Sequence, residues 1–499
     1  MTNSADGAVS RRRTLLFAGL VVGLSLALYA RSLGYALVFD DVPLLKYMDR
    51  VADVKGFWGL ITTDFRPSID DSIGYYRPVA LLSFYLDRTL GGGGPFLFHL
   101  TNVLLNAANA LLVFLLARKI AGLDAAALAA GLVFAVAPTH VEAAAFVSCR
   151  TDLLATFFAL AAALAWWRRT REDGGALSAA TLGVTIFLAV LSKESALLLP
   201  FTLTAWELLF PVRRGSPGIP RRFASWAPWA ALGVAAALAL RLFVAHVPFG
   251  VGEFRPIFPD RTSLPDHPAL YPGIWLHYAY VSIVGWPLSA FYTPGRVFPG
   301  VANGAAFAAL LAFFFCVRAK WREQAALLVW FAAFLLPVAG LVPLRGSIVA
   351  DRFLYLPSAA FAIAVGSLLG HFLEKGKTAA KLAVAVLAVG LAAHAALAEY
   401  RLPVWEEDFT LFRAMTKDEP AFHMGYTGVG EAYYKAGQYD TALPYLEKAV
   451  ELDYMNYRAL LYLSFIYRFR GRAADADRAA ALANYYQEQE KSGAQGGTR

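Results

Sequence analysis

Long apolar stretches recur along the first four-fifths of this chain, and several are about 20 residues long, the length needed to cross a hydrocarbon core roughly 30 Å thick. The first, Thr14–Ala30, follows three arginines and lacks an obvious small-residue cleavage site, which indicates an uncleaved span. Charged residues make up only 16% of the chain, whereas soluble domains carry about a quarter. The sequence therefore predicts an all-α, polytopic membrane protein.

Turns rich in lysine and arginine separate the apolar stretches, and such turns stay on the cytoplasmic side. If all of them lie there together with the N-terminus, the chain has about eleven spans. The intervening loops and everything after Tyr400 then lie outside, on the periplasmic face of an inner membrane. The predicted spans are 14–31, 98–117, 122–138, 143–167, 177–192, 195–211, 224–246, 303–319, 324–342, 353–372 and 380–398.

One further segment, Ile274–Tyr292, is apolar and aromatic enough to span. If it spans, every later loop changes side, and the basic turns at Arg318–Arg322 and Lys375–Lys381 move outside. The distribution of basic residues therefore favours an interfacial or re-entrant segment, with spanning as the alternative.

Small and aromatic residues recur after residue 400 with a period of 34, which is the period of TPR helix pairs. We predict a membrane domain over 1–400 with an outer loop at 32–95, TPR repeats over 401–490 and a disordered tail at 491–499. Because so few repeats are close to the lower limit for independent stability, we expect them to dock onto the membrane domain. The recurring residues are Val429, Gly430, Tyr433, Gly437, Ala442 and Ala449, followed by Leu463, Ser464, Tyr467, Gly471, Ala476 and Ala483.

The net charge of +8 comes from basic residues at the ends of apolar stretches and not from a compact basic surface. The expected partner is therefore the lipid bilayer and not a nucleic acid. The sequence contains no Walker A loop, Rossmann glycine fingerprint or HExxH helix, so chemistry driven by ATP or a nicotinamide has no support.

Ionisable residues are costly to place at membrane depth and point to function when they gather there. Each group alone has a simpler explanation, such as a helix cap, a local ion pair or an arginine reaching the interface. Five separated segments nevertheless place such residues at one predicted depth on the outer side, which predicts a single cleft. They are Asp40–Asp41, His140 with Glu142, Arg150–Asp152, Lys193–Glu194, and Asp351–Arg352 with Tyr355.

His99 lies on the second predicted span, close enough to the outer surface to line this cleft. Asn106 and Asn109 share its helix face deeper in the span, where hydrogen bonds between helices are the favoured interpretation.

A carboxylate in such a cleft can deprotonate a hydroxyl, and cations can hold a leaving phosphate. A lipid-linked phosphosugar would place its phosphate near Lys193, Arg352 and Arg150. The alternatives are a transporter or flippase of a lipid-linked substrate, for which the sequence shows no inverted repeat, and a non-catalytic TPR scaffold anchored in the membrane.

The order of short motifs resembles the GT-C membrane glycosyltransferases, in particular the transmembrane-and-TPR-containing O-mannosyltransferases and their bacterial relatives. The resemblance extends from about Arg11 to Tyr486; each motif is weak alone, and the ordered set is fairly specific. The motifs are Phe39-Asp40-Asp41, Tyr76-Arg77-Pro78, Phe98–Asn102, Pro138–Glu142, Ser148–Asp152, Leu191–Glu194 and Arg352–Pro357.

The resemblance implies an inverting transferase that moves a sugar from a polyprenyl-phosphate-linked donor to a hydroxyl of a protein or glycan on the outer face. It implies that Asp40 or Asp41 is the base, and spacing does not decide between them. A need for a divalent metal, Mg²⁺ or Mn²⁺, and acceptor binding by the TPR repeats stay open. The resemblance implies Glu142 and Asp152 in the acceptor or sugar pocket and Lys193 and Arg352 at the lipid phosphate. The complete predicted pocket contains His99, His140, Glu142, Asp152, Tyr76 and Glu194, and the complete predicted lipid-phosphate site contains Lys193, Arg352, Arg150, Arg77 and Tyr355.

Overall fold

A computed structural model describes residues 2–65, 75–172, 174–212, 217–247, 271–293, 320–338 and 349–496. Within these ranges the chain is helical, apart from one isolated antiparallel bridge between Phe65 and Tyr75. The predicted all-α class is therefore confirmed for the described residues.

Nineteen α-helices occur in the described ranges, and we number them in chain order. Those before residue 402 are α1 (Thr2–Tyr29), α2 (Asp41–Ile61), α3 (Pro78–Leu90), α4 (Pro95–Ala121), α5 (Asp124–Ala135), α6 (Val141–Ala145), α7 (Arg150–Arg171), α8 (Ala176–Ser192), α9 (Leu199–Leu209), α10 (Ile219–Ala239), α11 (Tyr271–Val284), α12 (Trp321–Leu335), α13 (Ser358–Glu374) and α14 (Lys377–Arg401). Those of the tail are α15 (Asp408–Asp418), α16 (His423–Lys435), α17 (Tyr439–Leu452), α18 (Tyr457–Phe469) and α19 (Ala473–Gly496).

Helical segments long and apolar enough to span a membrane number five among the described residues, and a sixth candidate is a pair of helices bent by 50°. Two further apolar helices, α8 and α13, are shorter. The predicted span 303–319 and the end of 324–342 lie outside the described residues, so the total of eleven stays a prediction. The five segments are Arg11–Gly34, Pro95–Ala121, Val147–Arg171, Ile219–Val244 and Lys377–Trp405, and the bent pair is Asp124–Ala135 with Pro138–Ala145.

The uncertain segment Ile274–Tyr292 overlaps α11, whose described part runs from Tyr271 to Val284. The residues directly before Tyr271 lie outside the described part of the chain, so the interfacial or re-entrant interpretation stays a prediction.

Glycines allow the membrane helices to approach closely, as is common where helices pack in lipid. A Cβ atom on Gly366 of α13 would lie 2.3 Å from the carbonyl oxygen of Ala126 in α5. A Cβ atom on Gly233 of α10 would lie equally close to the carbonyl oxygen of Gly183 in α8. These contacts bring the backbones of α5 and α13, and of α8 and α10, together.

Polar residues connect helices in the interior, as predicted for the asparagines of α4. Asn106 donates a hydrogen bond to Ser25 Oγ of α1 at 3.0 Å, and Asn109 donates one to the carbonyl oxygen of Leu153 in α7 at 3.0 Å. Tyr355 donates to the side-chain oxygen of Asn106 at 2.7 Å. These bonds hold α1, α4, α7 and the turn before α13 in register.

The tail consists of successive helices whose starts repeat after 34 residues. His423 of α16 and Tyr457 of α18 are 34 positions apart, and so are the starts of α17 and α19. Gly437 and Gly471 lie two residues after the first helix of each pair and have φ values of 73° and 74°, a conformation that favours glycine. The repeat spacing is therefore present in the geometry, and the assignment to the TPR class stays a prediction. The last helix extends to Gly496, whereas the sequence predicted disorder from residue 491.

The tail also contacts the membrane half, as expected for so few repeats. The rings of Phe291 and Phe422 stack at 3.9 Å, and Thr293 donates a hydrogen bond to the carboxylate of Glu419. The N–H of Ala36, in the loop after α1, donates to the carbonyl oxygen of Glu406 at 2.9 Å. The start of the tail therefore lies against the first loop.

Candidate functional site

Asp41 begins α2 and is completely buried. One carboxylate oxygen accepts hydrogen bonds from the N–H and the hydroxyl of Ser148 at 2.7 and 2.6 Å. The other accepts from the N–H groups of Val38 at 3.2 Å and Val147 at 3.4 Å. Burial raises the pKa of Asp41 to about 7, against the opposing effect of these donors. Both oxygens are thus engaged in attaching the first loop to the turn before α7.

Asp40 differs from its neighbour because its side chain is only half-buried. It lies between Asp41 and Phe39, and Phe39 adopts a φ of 50°, which is rare for a bulky residue. Of the two first-loop aspartates that the sequence could not separate, Asp40 is the one whose side chain reaches the solvent.

Three ion pairs connect the other predicted segments. Arg352 binds Glu142 through its guanidinium and also through its backbone N–H, which lies 2.8 Å from a carboxylate oxygen. Lys193 Nζ lies 2.5 Å from a carboxylate oxygen of Asp152. The third pair joins Arg77 and Glu194 at 2.8 Å, and Glu194 also accepts a hydrogen bond from the N–H of Tyr76.

Two of these pairs lie close to one ring. The charged groups of Lys193 and Arg352 lie 5.6 and 5.1 Å from the ring centre of Phe353. Glu142, the partner of Arg352, is only six residues from Ser148, the partner of Asp41. Asp41 and Arg352 therefore hold the same short segment, which contradicts an arrangement on opposite membrane faces.

The cluster contains cations and carboxylates and is partly open. The exposed fractions of the side chains of Arg352, Lys193 and Arg77 are 29%, 15% and 12%. Burial alone would lower the pKa of Arg352, but the larger opposing effect of the adjacent Glu142 and its neighbours raises this pKa above its usual value. The guanidinium is therefore charged at neutral pH. The cations are Arg77, Lys193, Arg241 and Arg352, and the carboxylates are Glu142, Asp152 and Glu194.

Arg241 was not among the sequence-predicted site residues. It lies in a π-helical turn at the end of α10, and its guanidinium is 3.5 Å from Glu194. The available signal was its place inside the predicted span 224–246, because an arginine within a span is costly and indicates function.

A narrow crevice, with room for about one water molecule, begins beside Glu194 and Arg241. The residues that line it between α8 and α10 are largely apolar, and the charged groups of Glu194 and Arg241 lie beside them. The remaining lining residues are Tyr76, Val190, Leu191, Leu197, Ala237 and Leu238.

Arg150 does not lie among the accessible cations. It is completely buried, and its guanidinium binds Asp87 at 2.5 Å, Asn102 at 2.8 Å and the carbonyl oxygen of Phe98 at 2.6 Å. These partners occupy the guanidinium inside the protein, which conflicts with the predicted role in binding a lipid phosphate and indicates a structural one.

His140 and Tyr355 also lie apart from the cleft, inside the helix bundle. Their rings are 4.5 Å apart, and His140 forms a hydrogen bond with Ser358 at 2.8 Å. Both side chains are completely buried. Their burial conflicts with the predicted roles of His140 in a sugar pocket and Tyr355 in a phosphate site.

Tyr76 and His99, two further predicted pocket residues, are buried. The hydroxyl of Tyr76 donates to the carbonyl oxygen of Ile61 at 2.6 Å, and only 2% of the residue is exposed. His99 is fully buried against the ring of Tyr35 at 6.4 Å, and neither of its ring nitrogens makes a hydrogen bond of normal geometry in the described part of the chain. No group of three or more His, Cys, Asp or Glu side chains among the described residues is arranged to hold a metal ion.

Fold and site together define a helical protein of the membrane with a partly open, charged cluster at one end of its helices. Its sequence is 25% identical to protein O-mannosyl-transferase Tmtc3 of Drosophila melanogaster over 98% of this chain and 61% of that protein. It is 26% identical to TMTC3 of Homo sapiens over 93% of this chain and 54% of that protein. A shorter match, to Tmtc2 of Drosophila melanogaster, reaches 37% identity over 39% of this chain and 21% of that protein.

The predicted resemblance to transmembrane-and-TPR O-mannosyltransferases is thereby confirmed. The chain spans between about half and three-fifths of the length of the TMTC3 relatives. No protein-family model matches the chain. A solved structure of ArnT from Cupriavidus metallidurans bound to undecaprenyl phosphate aligns with a TM-score of 0.46 and 16% identity, over 95% of this chain and 78% of that one.

Proposed function

We propose that this chain is a membrane glycosyltransferase that moves a sugar from a polyprenyl-phosphate-linked donor to a hydroxyl of a protein or glycan. The reaction takes place on the outer, periplasmic face of the inner membrane. The observation that carries the proposal is that the half-buried Asp40 adjoins Asp41, which binds Ser148 only six residues from Glu142, the partner of Arg352.

Asp40 is the general base in this proposal. Asp41 is unsuited to the role because its oxygens already accept four hydrogen bonds inside the protein. Asp40 takes the proton of the acceptor hydroxyl as the hydroxyl oxygen forms a bond with the anomeric carbon. The bond between that carbon and the phosphate oxygen breaks, and the polyprenyl phosphate leaves with the electron pair. A single displacement of this kind inverts the anomeric centre.

Lys193, Arg352 and Arg77 bind the phosphate and stabilise the charge that develops on it. Each has a carboxylate partner that holds the cation in place before the donor arrives.

The test is sugar transfer by the purified full chain in lipid nanodiscs, with polyprenyl-phosphate mannose as the first donor. We expect Asp40→Asn to reduce kcat at least a hundredfold, since general base catalysis contributes about 10²–10⁴-fold. The matched control is Glu172→Gln, which neutralises an acid ion-paired with Lys119 in a basic turn between spans. Full activity of Asp40→Asn would remove this base from the mechanism.

The other function classes predict different results. In sealed proteoliposomes a flippase would move labelled donor across the membrane without cleaving it, whereas a scaffold would neither move nor cleave the donor. Absence of transfer with a panel of polyprenyl-phosphate sugars, despite donor binding that Arg352→Gln weakens, would favour the flippase.

A further inference from the structure

The turn that carries Asp40 has an unusual backbone. Phe39 adopts a φ of 50°, in the left-handed region that disfavours residues with a bulky side chain. Such a conformation persists only where surrounding contacts over-determine it. The contacts that hold Phe39 therefore bear on the position of the next residue, Asp40.

Two hydrogen bonds to this turn come from the tail, more than 360 residues away in sequence. The N–H of Phe39 donates to a carboxylate oxygen of Asp408 at 2.8 Å. The N–H of Ala36 donates to the carbonyl oxygen of Glu406 at 2.9 Å. Asp408 is the first residue of α15, so the helix fixes where its carboxylate lies.

Aromatic rings make a second connection at the same place. The ring of Phe39 lies 6.2 Å from that of Phe412 in α15 and 6.4 Å from that of Phe146. Phe146 in turn stacks on Trp405 at 5.1 Å. The tail, the first-loop turn and the segment before α7 therefore form one contact.

We propose that Asp408 is a positioning residue for Asp40, which rests on the proposed function. Asp40 is flanked by two anchored residues: Asp41 is held by Ser148 of the membrane half, and Phe39 is held by Asp408 of the tail. Without the second anchor the turn relaxes toward negative φ and moves the base. Small displacements of a reacting group are costly to catalysis. The tail is thus part of the catalytic apparatus, whatever else it binds.

The first test compares Asp408→Ala with Asp408→Asn, because an asparagine oxygen accepts the Phe39 hydrogen bond without carrying charge. Loss of one hydrogen bond is expected to reduce kcat about threefold to tenfold in the alanine variant, with an unchanged KM for the donor. The asparagine variant should stay close to wild type. Hydrogen–deuterium exchange of the peptide containing Phe39, measured on the full chain, should accelerate in the alanine variant only.

The second test uses Phe39→Gly, because glycine adopts a positive φ without steric cost. Removing Asp408 should reduce kcat less in this background than in wild type. Phe39→Leu is the matched control, since it also lacks the aromatic ring but keeps a Cβ atom. An equal loss of kcat in all backgrounds would show a merely structural role. A raised KM for the acceptor alone, or equal defects in Asp408→Ala and Asp408→Asn, would overturn the proposal.

Failure of the inference and failure of the proposed function can be told apart. If wild type transfers sugar and neither kcat nor exchange responds to Asp408→Ala, the inference is wrong and the function stands. If wild type transfers no sugar from any donor while exchange at Phe39 responds as expected, the contact is real and the proposed function fails. If exchange is also unchanged, the contact is refuted as well.

Discussion

Replacement of Asp41 by asparagine should affect stability before chemistry. Its carboxylate accepts four hydrogen bonds, two on each oxygen, and all four donors belong to Val38, Val147 and Ser148. Asparagine keeps only one acceptor oxygen, and its NH₂ group would point at two donors in either orientation.

The cost follows from the burial of this site, since Asp41 has no exposed surface. Leaving a buried donor unpaired costs about 1–3 kcal/mol, so two such donors predict a loss of about 2–6 kcal/mol. The ionised carboxylate is itself expensive to bury, because its pKa is raised to about 7, and asparagine removes part of that cost. We therefore expect a net loss of about 2–4 kcal/mol in the free energy of unfolding.

The assay is thermal unfolding of the purified chain in detergent, followed together with transfer activity per folded molecule. Asp41→Asn should lower Tm by several degrees, whereas Asp40→Asn should leave Tm within a degree and reduce transfer at least a hundredfold. If Asp41→Asn unfolds like wild type yet loses all activity, Asp41 is the base and the separation of the two aspartates is wrong.

Three further predictions concern charge, pH and packing. Lys193→Gln should raise the KM for the donor about tenfold with little change in Tm, as measured by donor titration. Arg150→Gln should destabilise the fold by about 3–5 kcal/mol in melting curves, because the substitution leaves the carboxylate of Asp87 buried without its cation. Since the folded pKa of Asp41 is raised, its neutral form stabilises the fold at low pH, and the Tm advantage of wild type over Asp41→Asn should shrink as pH rises from about 4 to 7. Gly366→Val should lower Tm, with a cost of about 1–3 kcal/mol as α5 and α13 are forced apart, while Gly390→Ala, at a glycine with open space around it, should not.

Much of the helical framework could be predicted from apolar length alone, because a backbone in lipid must satisfy its own hydrogen bonds. The predicted span 98–117 lies inside the helix Pro95–Ala121, and 224–246 corresponds closely to Ile219–Val244. The segment 122–138 is a different case. Its helix ends at Ala135, and the 3-10 turn that begins at Pro138 bends the chain by 50°. Proline was the visible signal, since it cannot donate a helical hydrogen bond.

The start of the predicted span 143–167 could not be predicted from local sequence. The regular helix begins only at Arg150, after Phe146 adopts an extended backbone, and the N–H groups of Val147 and Ser148 donate to the carboxylate of Asp41. That contact joins residues more than 100 positions apart, so the hydropathy of the local sequence could not predict it. The same holds for the bonds from the first loop to Glu406 and Asp408.

The errors in the predicted site have a common geometric cause. Neighbouring charged residues were expected to share a cleft, yet residues i and i+2 of a helix point about 200° apart. Arg150 and Asp152, both in the first turn of α7, therefore face different surroundings: Arg150 contacts α4, and Asp152 contacts Lys193. Asp40 and Asp41, where α2 begins, also have different surroundings, since Asp40 is half-buried and Asp41 is enclosed. In α7 Arg150 binds α4 inside the protein and Asp152 binds Lys193 of the cluster, and this division depends on the direction of each side chain around the helix, which the order of motifs does not specify.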